Sequence, residues 1–242
     1  MLIPFLLAIL LSVISFWSDR FCLRCSPHEG RIISFAAGIS ITYLFLQLFP
    51  ELYSGVTHLN KFLFSFVLLG FVTLYLSEKH IYQHAARQLL LEDLVKLHGA
   101  SLFIYHFIIG ILLIQLSAGN GLHAFLFFIP ILLHGSISSI TMHRIHQIGR
   151  HPEKNNEEKK LLKDLQEGRL TKLFFAAAPI YGALLAKVYM LPASITFALL
   201  GIIAGALLFL IIKDSFPKER EGNPKFFILG VILYALLIMT SW

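Results

Sequence analysis

Charged residues and cysteine are scarce in this chain of 242 residues. Only 14% of the residues are charged, whereas about 25% is usual in soluble domains. This shortage, with an apolar fraction of 57%, excludes an ordinary soluble protein and predicts an integral membrane protein. Two cysteines are too few for a disulfide framework. No phosphate-binding glycine-rich loop is present in the sequence, so an ATP-driven activity is not expected.

The first apolar run also lacks the features of a cleaved signal peptide. No basic residue precedes it, and Phe16-Trp17-Ser18-Asp19 is a poor cleavage site. We therefore expect the run to remain as the first membrane helix.

Long apolar runs are what the sequence has in abundance. A helix needs about 20 apolar residues to cross the hydrocarbon core of a membrane. Eight segments, numbered here one to eight, approach that length: 2–18, 32–50, 62–77, 98–118, 121–142, 170–188, 193–213 and 225–241. Pro192 supplies the break between segments six and seven. The predicted fold is an all-α integral membrane domain with eight transmembrane helices.

The basic residues alternate with these segments. Eighteen of the twenty lysines and arginines lie in or at the ends of four connections: one-to-two, three-to-four, five-to-six and seven-to-eight. The other two are Lys61 and Lys187. Because Lys and Arg favour the cytoplasmic side, both termini are predicted to face outside. The expected location is a plasma or inner membrane, with residues 150–172 as a charged cytoplasmic linker. The net charge of +6 then faces lipid headgroups rather than nucleic acid.

Segments two and seven contain a repeated pattern. Ala37-Gly38 is followed by Pro50 twelve residues after the glycine, and Ala204-Gly205 is followed by Pro217 at the same spacing. The second copy lies five helices after the first, an odd number, so the two copies are predicted to cross the membrane in opposite directions. Inverted repeats of this kind are typical of secondary transporters, although small residues and proline also recur by chance in membrane helices.

Taken together, these motifs resemble the ZIP (Zrt/Irt-like) family of divalent metal transporters. The resemblance rests on eight helices with both ends outside, on AAGISITYLFLQLFPE and AGALLFLIIKDSFPKE, and on the proline in FFIPILLHG. It implies a ZIP-like arrangement of three, two and three helices, with metal crossing between helices four and five. It also gives structural roles to a set of glycines and prolines: Gly38, Pro50, Gly110, Pro130, Gly205 and Pro217.

The sequence departs from the family at most positions that would bind metal. In the family motif of helix four, His-Asn-x-x-Asp-Gly, the places before Gly110 hold Tyr105, His106 and Ile109. In the motif of helix five, His-Glu-x-Pro-His-Glu, the places around Pro130 hold apolar residues: Phe127, Phe128, Ile131 and Leu132. Gln47 stands where helix two often has a histidine, and Asp214 where helix seven often has an acid.

Two deep histidines remain as candidate metal ligands. His106 and His134 each lie about eight residues, or roughly 12 Å of helix, from the predicted cytoplasmic ends. Histidine inside an apolar run indicates a functional site by default. We expect His106 and His134 to bind metal on a path that also includes Tyr105, Gln47 and Ser136. The alternative is a hydrogen bond between packed helices, worth about 1 kcal/mol.

Other candidate ligands lie in the predicted cytoplasmic regions. Cys22 and Cys25 form a single Cys-x₂-Cys motif, with His28 nearby, which is a weak zinc signal without a second pair. Two histidine pairs, His80 with His84 and His143 with His146, leave a histidine-ligated membrane enzyme open. Solvated loop histidines are the favoured interpretation of both pairs.

The sequence thus predicts a ZIP-like secondary transporter, not an enzyme, for divalent ions of the zinc, iron and manganese class. A non-transporting membrane scaffold or regulator derived from the same fold is the alternative. No bound cofactor is expected beyond a divalent cation such as Zn²⁺ as substrate. The expected partners are membrane lipid and a small inorganic ion, with a homodimer as one option and no nucleic acid.

Overall fold

A computed structural model describes residues 2–17, 29–84, 90–117, 121–133, 169–189, 191–215 and 222–240. All regular secondary structure within these ranges is helical, and they contain no strand. The prediction of an all-α chain is therefore confirmed.

Eleven α-helices form within the described ranges. In chain order, α1 to α11 are Leu2–Trp17, Glu29–Tyr43, Phe49–Ser54, Val56–Leu59, Leu63–His84, Leu90–Ser117, Gly121–Leu133, Arg169–Ala176, Ala178–Val188, Ala193–Leu210 and Pro224–Met239. Two π-helical segments, Leu44–Leu48 and Ile211–Ser215, continue α2 and α10, and a 3₁₀ turn, Asn60–Phe62, precedes α5.

Four helical stretches of the described chain are long and apolar enough to cross a membrane. They are Gly30–Ser54, Val56–His84, Gly99–Ser117 and Ala193–Lys213. Four shorter apolar helices accompany them: Leu2–Trp17, Gly121–Leu133, Ala178–Val188 and Pro224–Met239. Such a set of helices indicates an integral membrane protein, and each of the eight apolar segments overlaps one of them.

Prolines stand at the helix starts and breaks. Pro192 precedes α10 in an extended conformation, and Pro50, Pro179 and Pro224 lie in the first turns of α3, α9 and α11. The first turns of α9 and α11 tolerate proline because their N–H groups have no partner within the helix. Pro50, by contrast, follows the π-helical segment Leu44–Leu48 without a break in the helix. Segment six is interrupted at Ala177, which separates α8 from α9.

The helices associate as three close pairs: α2 with α11, α5 with α10, and α6 with α9. At each crossing a Cβ added to a glycine would overlap a backbone carbonyl of the facing helix. The glycines and the carbonyls they face are Gly38 and Phe227, Gly230 and Phe35, Gly205 and Val67, Gly70 and Ile202, Gly110 and Pro179, and Gly182 and Phe107. Glycine allows this approach because it has no side chain.

The helices of the first pair run parallel. Near their first turns the Ser34 hydroxyl oxygen accepts a hydrogen bond of 2.9 Å from the Asn223 N–H. Further along both helices, the rings of Tyr43 and Tyr234 are 6.4 Å apart. Helices α5 and α10 are also parallel. Phe71 contacts Phe209, and later in both helical stretches Glu78 forms an ion pair with Lys213.

The two copies of the Gly-to-Pro pattern run antiparallel and share their local structure. The helix α2 contacts the π-helical segment Ile211–Ser215 that follows α10, whereas α10 contacts the segment Leu44–Leu48 that follows α2. Each π-helical segment begins six residues after its glycine and ends two residues before its proline. A wider turn accommodates the carbonyl that proline would otherwise displace.

One apolar core joins the pairs. Its fully buried side chains come from α2 and the following segment, from α6, from α7 and from α10, including Leu44, Leu112, Phe127, Ile131 and Leu207. Helix α6 contacts α10, and α7 contacts the end of α2 through Phe127 and Tyr43.

The glycine crossings predict a strong position dependence for alanine substitution. Gly182→Ala should destabilise the protein by about 1–3 kcal/mol, the cost of overpacking a tight contact, because its Cβ would overlap the Phe107 carbonyl. Gly121→Ala is the matched control, since no atom lies within 4 Å of its added Cβ. Thermal unfolding of both variants in detergent measures the difference. Equal stability of the two variants would contradict the tight crossing.

Candidate functional site

His106 is a buried histidine near the middle of α6. Only 6% of its surface is exposed. One ring nitrogen, Nδ1, hydrogen-bonds to the backbone carbonyl of Leu102 one turn earlier, and the other, Nε2, has no hydrogen-bond partner among the described residues. A neutral imidazole that donates through Nδ1 keeps an acceptor lone pair on Nε2. That lone pair can bind a metal ion or accept a proton.

Tyr105 adds a second polar atom without a partner. Its side chain is 6% exposed, its ring lies 5.7 Å from the His106 ring, and no described residue hydrogen-bonds to its buried hydroxyl. Buried polar groups in proteins almost always have partners. Two neighbouring side chains with unpartnered polar atoms therefore indicate a candidate ligand-binding site on α6.

Two further tyrosines lie in the same region, and the sequence analysis did not single them out. The ring of Tyr43, the last residue of α2, lies 6.4 Å from Tyr234 of α11 and 6.1 Å from Phe127 of α7. The signal that could have found them is the one used for histidine, a polar group inside an apolar run.

The family's metal-ligand positions are filled by apolar packing. Ile109, Phe127 and Ile131 are completely buried, and Phe128 is 4% exposed. These side chains belong to the main apolar core. Within the described part of the chain, no group of three histidine, cysteine, aspartate or glutamate side chains is arranged to hold a metal ion.

Of the remaining residues predicted for the path, Gln47 alone lies within the described ranges. Gln47 is half-buried in the π-helical segment Leu44–Leu48. His134 and Ser136 lie outside the described residues, as do Pro217, Cys22 and Cys25.

The predicted cytoplasmic end of α5 has polar contacts of its own. His80 and His84 stack with ring centroids 4.3 Å apart, and Glu78 pairs with Lys213 at 2.9 Å. The ion pair is partly exposed, and pairs of this kind contribute little stability. These contacts are separate from the buried polar atoms of α6.

No protein-family model matches this chain, and no curated protein or solved structure is significantly similar to it.

The free nitrogen of His106 predicts an unusual tolerance to an apolar replacement. Removing a buried polar atom that has no partner costs little or is stabilising. The Leu102 carbonyl, which loses the Nδ1 donor, keeps its helical partner, the backbone N–H of residue 106. We expect His106→Leu to keep or raise the midpoint of thermal unfolding in detergent. A fall of more than about 4 °C, roughly 1 kcal/mol in a chain of this size, would mean that Nε2 has a structural partner elsewhere in the chain.

Proposed function

We propose that the chain is a ZIP-like secondary transporter of a divalent cation of the zinc, iron and manganese class. The observation that carries the proposal is the buried His106 imidazole, whose Nε2 has no partner within the described residues. Imidazole nitrogen is a preferred ligand for these metals. A histidine kept free at this depth is costly unless it binds something.

The helix packing supports a transporter architecture. Two antiparallel copies of one glycine, π-helix and proline pattern flank the central helices α6 and α7. Inverted copies around a central site allow one arrangement to open toward either side of the membrane. In this proposal α6 and α7 provide the path, and the helix pairs that contain α2 and α10 change position around it.

The residues proposed for the path provide no negative charge. His106 and Tyr105 offer one nitrogen and one hydroxyl, and Gln47 offers an amide oxygen. His134 is the proposed second imidazole and Ser136 a further oxygen ligand. A site of this kind neutralises a divalent ion less than a carboxylate site does, so it holds the ion weakly. Weak binding suits release during transport better than storage.

We further propose eight membrane crossings with both termini outside. The four stretches longer than 18 residues account for half of them. The helix Leu2–Trp17 has 16 residues and is about 24 Å long at 1.5 Å per residue. A helix of this length can span a membrane that thins locally around it. The basic residues then collect on the cytoplasmic side.

A second candidate function is a membrane scaffold that does not transport. The observation that favours it is the complete burial of Ile109, Phe127 and Ile131 in the apolar core. These side chains occupy the positions at which the resembled family keeps ligands, and a hydrated ion cannot pass through them as they stand. In this alternative the fold is retained to present its surfaces to a partner.

Uptake of metal ions into proteoliposomes tests the proposal. We expect purified protein to carry Zn²⁺, Fe²⁺ or Mn²⁺ down a gradient, read by a metal-sensitive dye inside the vesicles. His106→Leu should lower the uptake at least about tenfold, the usual loss when a group that supports a metal ligand is removed. His58→Leu is the matched control, because His58 is exposed and lies outside the α6 region.

The outcomes separate the two candidate functions. Uptake that falls only in the His106 variant supports the transporter. Uptake that both variants retain excludes His106 from the path. A folded wild-type protein without any flux of the three metals supports the scaffold.

The proposed orientation is tested with the two natural cysteines. Cys22 and Cys25 lie in a predicted cytoplasmic connection, so a membrane-impermeant maleimide should label them only after intact cells are permeabilised. In a variant with both cysteines replaced by serine, an added Ser54→Cys at the exposed end of α3 should react in intact cells. The reverse pattern would invert the topology.

A further inference from the structure

Pro130 leaves a backbone carbonyl of α7 without its usual partner. In an α-helix the carbonyl of Leu126 accepts the N–H of the residue four positions later, and that residue is proline, which has no N–H. Leu126 and Pro130 are both buried. In an apolar interior an unsatisfied carbonyl costs free energy comparable to a lost hydrogen bond.

The hydroxyl of Tyr234 supplies the missing donor. It donates a buried hydrogen bond to the Leu126 carbonyl, and the two residues are 108 positions apart in the chain. Tyr234 lies on α11, one turn after the crossing glycine Gly230, so the position of its hydroxyl depends on the tight packing of α11 on α2. The ring of Tyr43 packs against both Tyr234 and Phe127 and encloses the bond.

The other copy of the repeat has no counterpart to this tyrosine. Tyr234 lies four residues after Gly230, and the residue four after Gly70 in α5 is Leu74, which is partly buried against the apolar core. Helix α6, the other central helix, has no proline. The copy of the repeat that has the tyrosine is therefore the one packed beside α7, whose Leu126 carbonyl has no partner within its own helix.

We infer that Tyr234 fastens the central helix α7 to the α2 and α11 pair by replacing the hydrogen bond that Pro130 removes. The bond sets the position of α7 at its proline, where a helix is easiest to bend. The fastening is independent of the proposed transport function, since it requires only the described contacts. Its consequence is that α7 cannot change its bend at Pro130 without breaking the bond to α11.

A double-mutant cycle in the full-length protein tests the inference. Tyr234→Phe removes only the hydroxyl and should lower the midpoint of thermal unfolding by about 2–4 °C, the shift expected for one such bond. Pro130→Ala restores an N–H to the Leu126 carbonyl. In that background Tyr234→Phe should cost less than half as much, because the carbonyl no longer needs the tyrosine.

Tyr75→Phe is the matched control. Tyr75 lies on α5 and is 45% exposed, so loss of its hydroxyl should leave the midpoint unchanged in both backgrounds. An equal cost of Tyr234→Phe with and without Pro130 would overturn the inference, and so would the absence of any cost in the natural background.

Hydrogen exchange keeps the inference testable if Pro130→Ala does not fold. Tyr234→Phe should speed amide exchange in peptides from α7 and leave exchange in α9 at its natural rate, because the bond reaches α7 alone. Unchanged exchange in α7 would refute the fastening.

Discussion

The structure depends on the approach of helix backbones at glycine. In a membrane, burial of apolar side chains gives no advantage over lipid, so helices associate by close packing of small residues and by hydrogen bonds. Each of the three parallel pairs has two glycines against facing carbonyls, as at Gly110 and Gly182 between α6 and α9. The apolar core forms between the pairs that these contacts hold together.

Backbone hydrogen bonding is the second constraint, and its effect is clearest at the prolines, which lack the N–H that a helix needs. The π-helical segment Leu44–Leu48 precedes Pro50, and Ile211–Ser215 stands at the same distance before the second proline. In α7, Pro130 frees the Leu126 carbonyl, which Tyr234 satisfies from another helix. An apolar interior provides no water to satisfy such groups, so each proline needs a local solution.

The candidate site consists of buried polar atoms that the helix packing does not engage. Apolar side chains take up the places at which the resembled family binds metal, and Phe127 and Ile131 are fully enclosed there. His106 and Tyr105 retain polar atoms that no described residue engages. The proposed transporter with a weak, histidine-based site and the alternative scaffold without transport both fit that contrast. A measurement of metal flux distinguishes the two.

The sequence by itself determined that the chain is all-α and of membrane type, because apolar composition and run length decide both. It also singled out His106 as a candidate ligand, since a polar residue inside an apolar run is conspicuous without any knowledge of its neighbours. The structure shows that this side chain is buried. The count of eight crossings and the ZIP-like arrangement stay predictions. Only the tertiary structure decided which glycines face which carbonyls, and that Tyr43 and Tyr234 lie beside α7. Contacts between residues far apart in the chain depend on helix packing, which no local pattern encodes.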